Sequence, residues 1–316
     1  MIRLVLVVLL LTTTLTAQTV DWAALAPRNA TEGNTVSELA TGITAGLATD
    51  RERAAALFSW VAHNIAYDVS QMEQIVAAGG KPKSYSRAEY DRLLAKRMDR
   101  TLKKRKGVCD NYSRLYQALC QAAGLECELV PGNARGDVMM PGSLGIGHAW
   151  NAVRLDGEWA LVDCTWGAGS VSYKGKFNFG FKPAYFDPRP ASLSYSHFPR
   201  EARWQLLDEP VSERVFLDRP AIGKGFLRYN LYDLSYQEYE LTAPRGEDLV
   251  LRFRATTDPG QLFCANYTVK QQIDCAVTRE GDALTVTVPA KNVRNMVLAV
   301  LTRDSELLLS YRLRTR

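Results

Sequence analysis

The dipeptide Asp156-Gly157 separates two strand-like runs, GHAWNAVRL before it and EWALVDCTWG after it, and no other feature limits the fold as sharply. Asp-Gly between such runs is the signature of a two-residue hairpin turn, because both turn positions need positive φ. The turn fixes the register: Leu155 pairs with Glu158, and stepping outward His148 faces Thr165 and Trp150 faces Asp163. His148 and Asp163 then share one face as diagonal neighbours. Their backbones would lie roughly 7–8 Å apart, a span that an imidazole and a carboxylate can close. Trp150 and Trp159 fall on the same face, where they are expected to wall a dry substrate cleft.

A paired histidine and carboxylate call for a nucleophile. Upstream, GVCDNYSRLYQALCQAAG places Cys109, Tyr112, Tyr116, Leu119 and Ala123 on one helical face, with Gly124 as the stop. Cys109 stands at the helix start, where unsatisfied backbone N–H groups and the positive end of the dipole favour the nucleophilic form of a cysteine. The same donors suit an oxyanion. Together the three residues read as catalytic nucleophile (Cys109), base (His148) and orienting carboxylate (Asp163): the imidazole takes the thiol proton and later protonates a leaving amine. His197, in SHFP, competes as a base, but its Pro-rich surroundings imply no geometry toward Cys109. His63 reads as a packing residue within a helix.

The chain begins MIRLVLVVLLLTTTLTAQT, with Arg3 ahead of the apolar run Leu4 to Leu11 and small residues up to Ala17. This pattern predicts a signal peptide over 1–17 and a secreted or periplasmic protein without an integral membrane segment after cleavage. A leader with little periodicity is expected over 18–34, then a core over 35–182 that opens with two amphipathic helices, the second capped near Asp50. The polar, basic stretch from Lys81 to Lys106 reads as a solvated helix and loop beside a cleft. A Pro- and aromatic-rich connector spans 183–208. From 209 to 316 short β-type runs, among them RVFLD, FLRYNLY and DLVLRFRA, predict seven to nine strands in a β-sandwich.

Composition excludes several classes. With 47% hydrophobic and 23% charged residues the chain can bury a substantial core. A net charge of +5, from 39 basic against 34 acidic residues, is too dilute to imply nucleic acid. The six cysteines lack the close pairing of a zinc site and no acidic cluster suggests calcium, so neither metal nor cofactor is expected. Cys264 and Cys275 flank a plausible hairpin and form a possible disulfide.

The segments GVCDNYSRLYQALCQAAGL and GHAWNAVRLDGEWALVDCTWG, in that order, resemble the transglutaminase-like core, whose Cys, His and Asp occupy the positions of Cys109, His148 and Asp163. The connector YSHFPREARWQLL and the strands after it further resemble the kyphoscoliosis peptidase branch. This resemblance implies an α+β fold, a papain-like transglutaminase core followed by a C-terminal antiparallel, immunoglobulin-like β-sandwich. It also implies acyl transfer through a thioester on protein or peptide amides, with hydrolysis by a protease or deamidase favoured over cross-linking. The alternative is a catalytically silent binding module for an extracellular or envelope polymer. Trp60 and Tyr67 are candidates by region for an oxyanion donor, with core packing the stronger reading of each. Oligomeric state is left open.

Overall fold

The structure, a computed structural model, describes residues 20–78, 86–136, 141–243 and 246–315. The expected signal peptide lies outside them. No helix among the described residues is long and apolar enough to cross a membrane.

The helix Asp50–Asn64 is the hub of the first half. It starts at Thr49 rather than at Asp50: Thr49 Oγ1 accepts from the Glu52 N–H, and Glu52 accepts from the Thr49 N–H, a reciprocal cap that satisfies two orphan donors. Every residue from Ala54 to Ala62 is buried, so the helix is sheathed on all sides rather than amphipathic. Part of the sheath comes from the expected leader. Residues Trp22–Leu25 and Ala26–Ala30 are helical, and Trp22 packs edge-on against Phe58, Phe181 and Phe186 at 5.3–5.8 Å. Two helical turns are too short to give a periodic signal, which is why the sequence reads as irregular there.

A second helix, α1 (Cys109–Ala122), packs on a four-stranded antiparallel sheet of order β3-β2-β1-β4, formed by β1 (Cys127–Ala134), β2 (Ile146–Leu155), β3 (Glu158–Val162) and β4 (His197–Pro199). Strands β2 and β3 pair Leu155 with Glu158 through Asn151 with Val162, the register the Asp156-Gly157 turn dictates; both turn residues have positive φ. Strand pairing stops at Val162. Asp163 caps the short helix α2 (Cys164–Ala168) instead of continuing the ladder toward Trp150.

From Ala221 onward ten strands among the described residues form two stacked sheets. One runs 231–232, 249–255, 283–288, 276–280. The other runs 240–243, 307–315, 296–302, 262–266, 271–273, with Ala221–Ile222 added on 307–315. Alternate residues such as Leu251, Phe253, Leu284 and Val286 meet Leu298, Val300, Leu309 and Tyr311 in the core between them. One pairing departs from the antiparallel expectation: Glu240–Ala243 runs parallel to Leu307–Thr315. Two runs with strand-like composition are helical. Ser212 caps Glu213–Asp218 through the Val215 N–H, and Lys224–Arg228 forms a single helical turn before Leu231 resumes a strand.

The two halves share apolar packing. Val130, Trp150, Ala152, Leu161, Leu193 and Trp204 belong to the same buried cluster as the sandwich interior. Cys264 and Cys275 are free thiols in this structure, not a bridge, although their side chains are hydrogen-bonded to each other.

Candidate active site

Cys109 is the first residue of α1, where the earliest N–H groups of the helix have no intrahelical acceptor. Its approach is fixed from both sides. The Asn111 side chain folds back, its Oδ1 accepting from the Val108 N–H at 3.0 Å while its Nδ2 donates to Thr101 Oγ1 at 3.0 Å. Gly107 is obligatory here, since a Cβ would stand 2.5 Å from that of Asn111. A short parallel bridge pairs Tyr67 with Gly107, bringing the Tyr67 phenol to the cavity that Cys109 also lines.

His148 is carried toward Cys109 on β2. Two hydrogen bonds hold that strand to α1: Ser113 Oγ donates to the Ala149 carbonyl at 2.8 Å, and Asn151 Nδ2 donates to the Ser113 carbonyl at 3.0 Å. All four groups are buried, so the helix cannot slide along the strand without stranding polar atoms.

Asp163 is saturated. Its Oδ1 accepts from the backbone N–H of Thr165 at 2.8 Å and of Trp166 at 3.0 Å, as the N-cap of α2. Its Oδ2 meets His148 Nε2 at 2.8 Å and His197 Nε2 at 3.1 Å. The His148 and Asp163 side chains are only 2% and 1% exposed, so little water screens their interaction. Burial works hardest against the charged forms of both. For His148 this is outweighed by the Asp163 carboxylate, with help from the Cys109 sulfur, and its pKa is pushed up to about 10. Asp163 is held well below the usual carboxylate range, because His148 and then His197 offset its desolvation. His197 moves the other way. Burial, joined by the charge on His148, lowers its pKa despite its bond to Asp163. One carboxylate thus serves two imidazoles, of which only His148 is charged near neutral pH.

The sequence places no geometry on His197, yet it lies within the cluster. Strand β4 pairs His197 with Ala134 on β1, and its ring is packed by Trp150, Trp166 and His148 at 4.7–5.6 Å. The only signal for it was SHFP in a connector with no hairpin register to orient it. Ser196 Oγ at 2.8 Å from His197 Nδ1 completes its environment. His63 bonds the Ser59 carbonyl within its own helix and stacks on Phe181, away from this cluster.

A cavity of about 730 Å³ opens over Cys109 and His148, within the size range of ligand pockets. Its aromatic wall is Tyr67, Trp166, Phe177 and Tyr185, not Trp150 and Trp159. Those two do share the His148 face, as the register requires, but the connector covers it: Trp150 is 1% exposed beneath Leu193 and Trp204, and Trp159 meets Trp204 edge-on at 5.1 Å. Trp60 is committed elsewhere, its Nε1 donating to the Thr31 carbonyl at 2.9 Å. Burial, then the nearby Cys109 and Asp163, push the Tyr67 phenol up to about 12, which keeps its O–H available as a donor.

His148, Asp163 and His197 could supply one donor atom each to a metal ion, all within 4.8 Å of one another. The atoms are already engaged. Each Nε2 points at the same carboxylate oxygen, and a charged His148 is a proton donor rather than a ligand. The cluster fits a hydrogen-bonded relay better than a metal centre.

The model of the transglutaminase-like superfamily matches residues 37–164, a span that holds Cys109, His148 and Asp163. Among curated proteins, kyphoscoliosis peptidase of Homo sapiens is 37% identical over 185 residues, covering 57% of this chain and 26% of that protein. The Lim and transglutaminase domain protein ltd-1 of Caenorhabditis elegans is 27% identical over 224 residues, covering 62% of this chain and 31% of its own length. The chain therefore spans about a quarter to a third of these relatives. A solved structure described as a putative cysteine protease from Cytophaga hutchinsonii is 19% identical with a TM-score of 0.29, over 45% of this chain and 42% of that one. Residues 37–164 are a domain of the transglutaminase-like superfamily.

Proposed function

We propose that this protein is a thiol-dependent acyl-transfer enzyme acting on protein or peptide amides, with Cys109 as nucleophile, His148 as acid and base, and Asp163 as the group that orients the imidazole. The observation that carries the reading is the convergence, at one cavity, of a cysteine at a helix start and a buried His148 whose Nε2 is bound by Asp163. With Nε2 so engaged, Nδ1 is the ring nitrogen left to exchange a proton with the Cys109 sulfur.

In the forward step His148 holds the proton from the thiol while the Cys109 sulfur attacks the amide carbonyl carbon. The backbone N–H groups at the start of α1 and the O–H of Tyr67, which lines the same cavity as Cys109, are the donors this reading assigns to the developing oxyanion. Collapse of the tetrahedral species breaks the C–N bond, with the His148 proton passing to the leaving amine and the acyl group left on sulfur as a thioester. Water, activated by the now neutral His148, then releases the acid. Hydrolysis is favoured over cross-linking because it requires no second site for an amine donor.

Export through a signal peptide at 1–17 belongs to the same proposal and rests on Arg3, the apolar run Leu4–Leu11 and the small residues up to Ala17. So does a division into a catalytic core over 35–182, a connector over 183–208 and a sandwich over 209–316.

A product assay by mass spectrometry with glutamine-containing peptides, with and without added amine, tests the reading. Chain cleavage or side-chain deamidation is expected, and isopeptide formation would reassign the acceptor. Absence of all three, together with a Cys109 no more reactive to alkylation than a thiol in the denatured chain, would leave a binding module.

A further inference from the structure

We propose that the cavity contains an anion subsite built on Arg135, and that the amide substrate carries a carboxylate, an acidic side chain or the C-terminal group of a peptide, about three residues from the bond that reacts. The inference rests on the assignment of Cys109 as nucleophile in the same cavity.

Arg135 is 3% exposed and lines the cavity that Cys109 and His148 open into. A buried guanidinium normally faces a carboxylate. Among the described residues this one does not. Its Nε donates to the Tyr195 carbonyl at 3.0 Å, and its Nη2 has two long contacts, 3.4 Å to the Arg219 carbonyl and 3.5 Å to that of Pro220. Its Nη1 is buried and has no hydrogen-bond partner among the described residues. Beneath it Phe216 stacks at 4.5 Å, which supports the plane of the cation without neutralising it.

A second buried cation makes the deficit larger. Arg219, 6% exposed, stacks on Tyr195, bonds Ser194 Oγ and leaves its own Nε without a partner among the described residues. Burial, and after it the neighbouring Arg219, lower the Arg135 pKa to about 10, which still leaves it charged at neutral pH. Among the described residues the other charged groups lining the cavity are His148, Lys182, whose Nζ reaches the Gly169 carbonyl, and the exposed Lys224 and Glu73. The balance is positive, and an incoming carboxylate would give the guanidinium the anion that burial otherwise denies it.

Position sets the reach. On β1, Gly132 pairs with His148, and Arg135 follows after Ala134 with its own N–H bonded to the Ser196 carbonyl. At about 3.3 Å per extended residue the chain from Gly132 to Arg135 covers roughly 10 Å. An extended substrate covers that distance in about three residues. Ile222, Gly223 and Leu227 also line the cavity, so a substrate reaching Arg135 would meet the segment after the connector.

The test uses the full chain carrying Cys109→Ala, so that binding is read without turnover, and a library of acetylated hexapeptide amides scanned with glutamate against glutamine at each position, plus the same peptides as free acids. One glutamate position, or the free acid, is expected to bind at least tenfold tighter than its neutral match, and added salt should erode the difference. Arg135→Gln in the same background should reduce that discrimination to under twofold, while Arg135→Lys keeps part of it. Should Arg135→Gln fail to fold, Arg135→Lys and the surface change Lys224→Gln, each with weaker discrimination, decide instead. Equal binding of acidic and neutral peptides, or full discrimination after the Arg135 changes, overturns the subsite. If acidic peptides bind selectively but the protein with Cys109 intact turns none over, the subsite stands and the proposed enzyme activity falls. Turnover without acidic preference does the reverse: the activity stands and the subsite falls.

Discussion

His148 and His197 are both bound to Asp163 through the same oxygen, Oδ2, at 2.8 and 3.1 Å, while the other oxygen caps a helix. A carboxylate with four donors cannot rotate to follow one imidazole without abandoning the others. Its direction, and through it that of the His148 ring, is set by three separate elements: β2, β4 and α2.

His197 is therefore expected to act as a positioning residue. His197→Ala should cost about 1–3 kcal/mol of stability in denaturant unfolding, the usual penalty for leaving a buried acceptor with a lost partner. It should also shift the pH profile of Cys109 alkylation by changing the environment of Asp163. A stability loss with an unchanged profile would restrict His197 to packing.

Removing the carboxylate should do more to chemistry. Asp163→Ala deprives His148 of its principal charge partner and frees its ring, so a fall in kcat of about 10²–10⁴-fold is expected, with KM for a small amide little changed. The cap of α2 is lost as well. Comparable unfolding curves for Asp163→Asn, which keeps an oxygen for the Thr165 and Trp166 N–H groups, would separate the two roles.

The dyad also predicts a pH window. His148 has a folded-state pKa of about 10 against an ordinary 6.5, so the stability it contributes is complete below 6.5 and lost as pH rises through about 10. Asp163 is depressed, so its contribution is present above its ordinary value of 3.8 and lost in stronger acid. His197, lowered by burial, likewise favours the folded state above 6.5 and opposes it as pH falls below. Thermal unfolding should show a decline from about pH 6.5 to about pH 10 that His148→Gln flattens. An unaltered alkaline limb in that variant would contradict the assignment.

The tie between α1 and β2 can be cut away from the dyad. Ser113→Ala leaves the Ala149 carbonyl without its side-chain donor and should destabilise by about 1–3 kcal/mol. Alkylation of Cys109 should slow as the helix start loses its fixed relation to His148. Equal alkylation rates in the two proteins would show that the tie serves stability alone.

Cys264 and Cys275, side by side as thiols, should form a bridge when the folded protein is exposed to oxidised glutathione, with a gain of about 2–3 kcal/mol for so short a loop. The check is the count of free thiols by mass spectrometry. Cys264→Ser should abolish the change.

Local signals determined much of this protein. The Asp156-Gly157 turn dictated the register that pairs Leu155 with Glu158 through Asn151 with Val162, and a glycine followed by an apolar helix put Cys109 at a helix start. These are short-range constraints: turn conformation, side-chain alternation and helix period act within a few residues. What lay beyond them was decided by tertiary packing. The aromatic content of RVFLD and FLRYNLY suggested strands, but a Ser212 cap and contacts with the sandwich made parts of them helical. Trp150 and Trp159 shared the expected face, yet the distant Leu193 and Trp204 covered it and gave the cavity wall to Tyr67, Trp166 and Phe177. His197 reached Asp163 through pairing of β4 with β1, and Arg135 met Arg219 across a long chain separation. No periodicity encodes such meetings, because they depend on which surfaces remain to be buried once the local elements have formed.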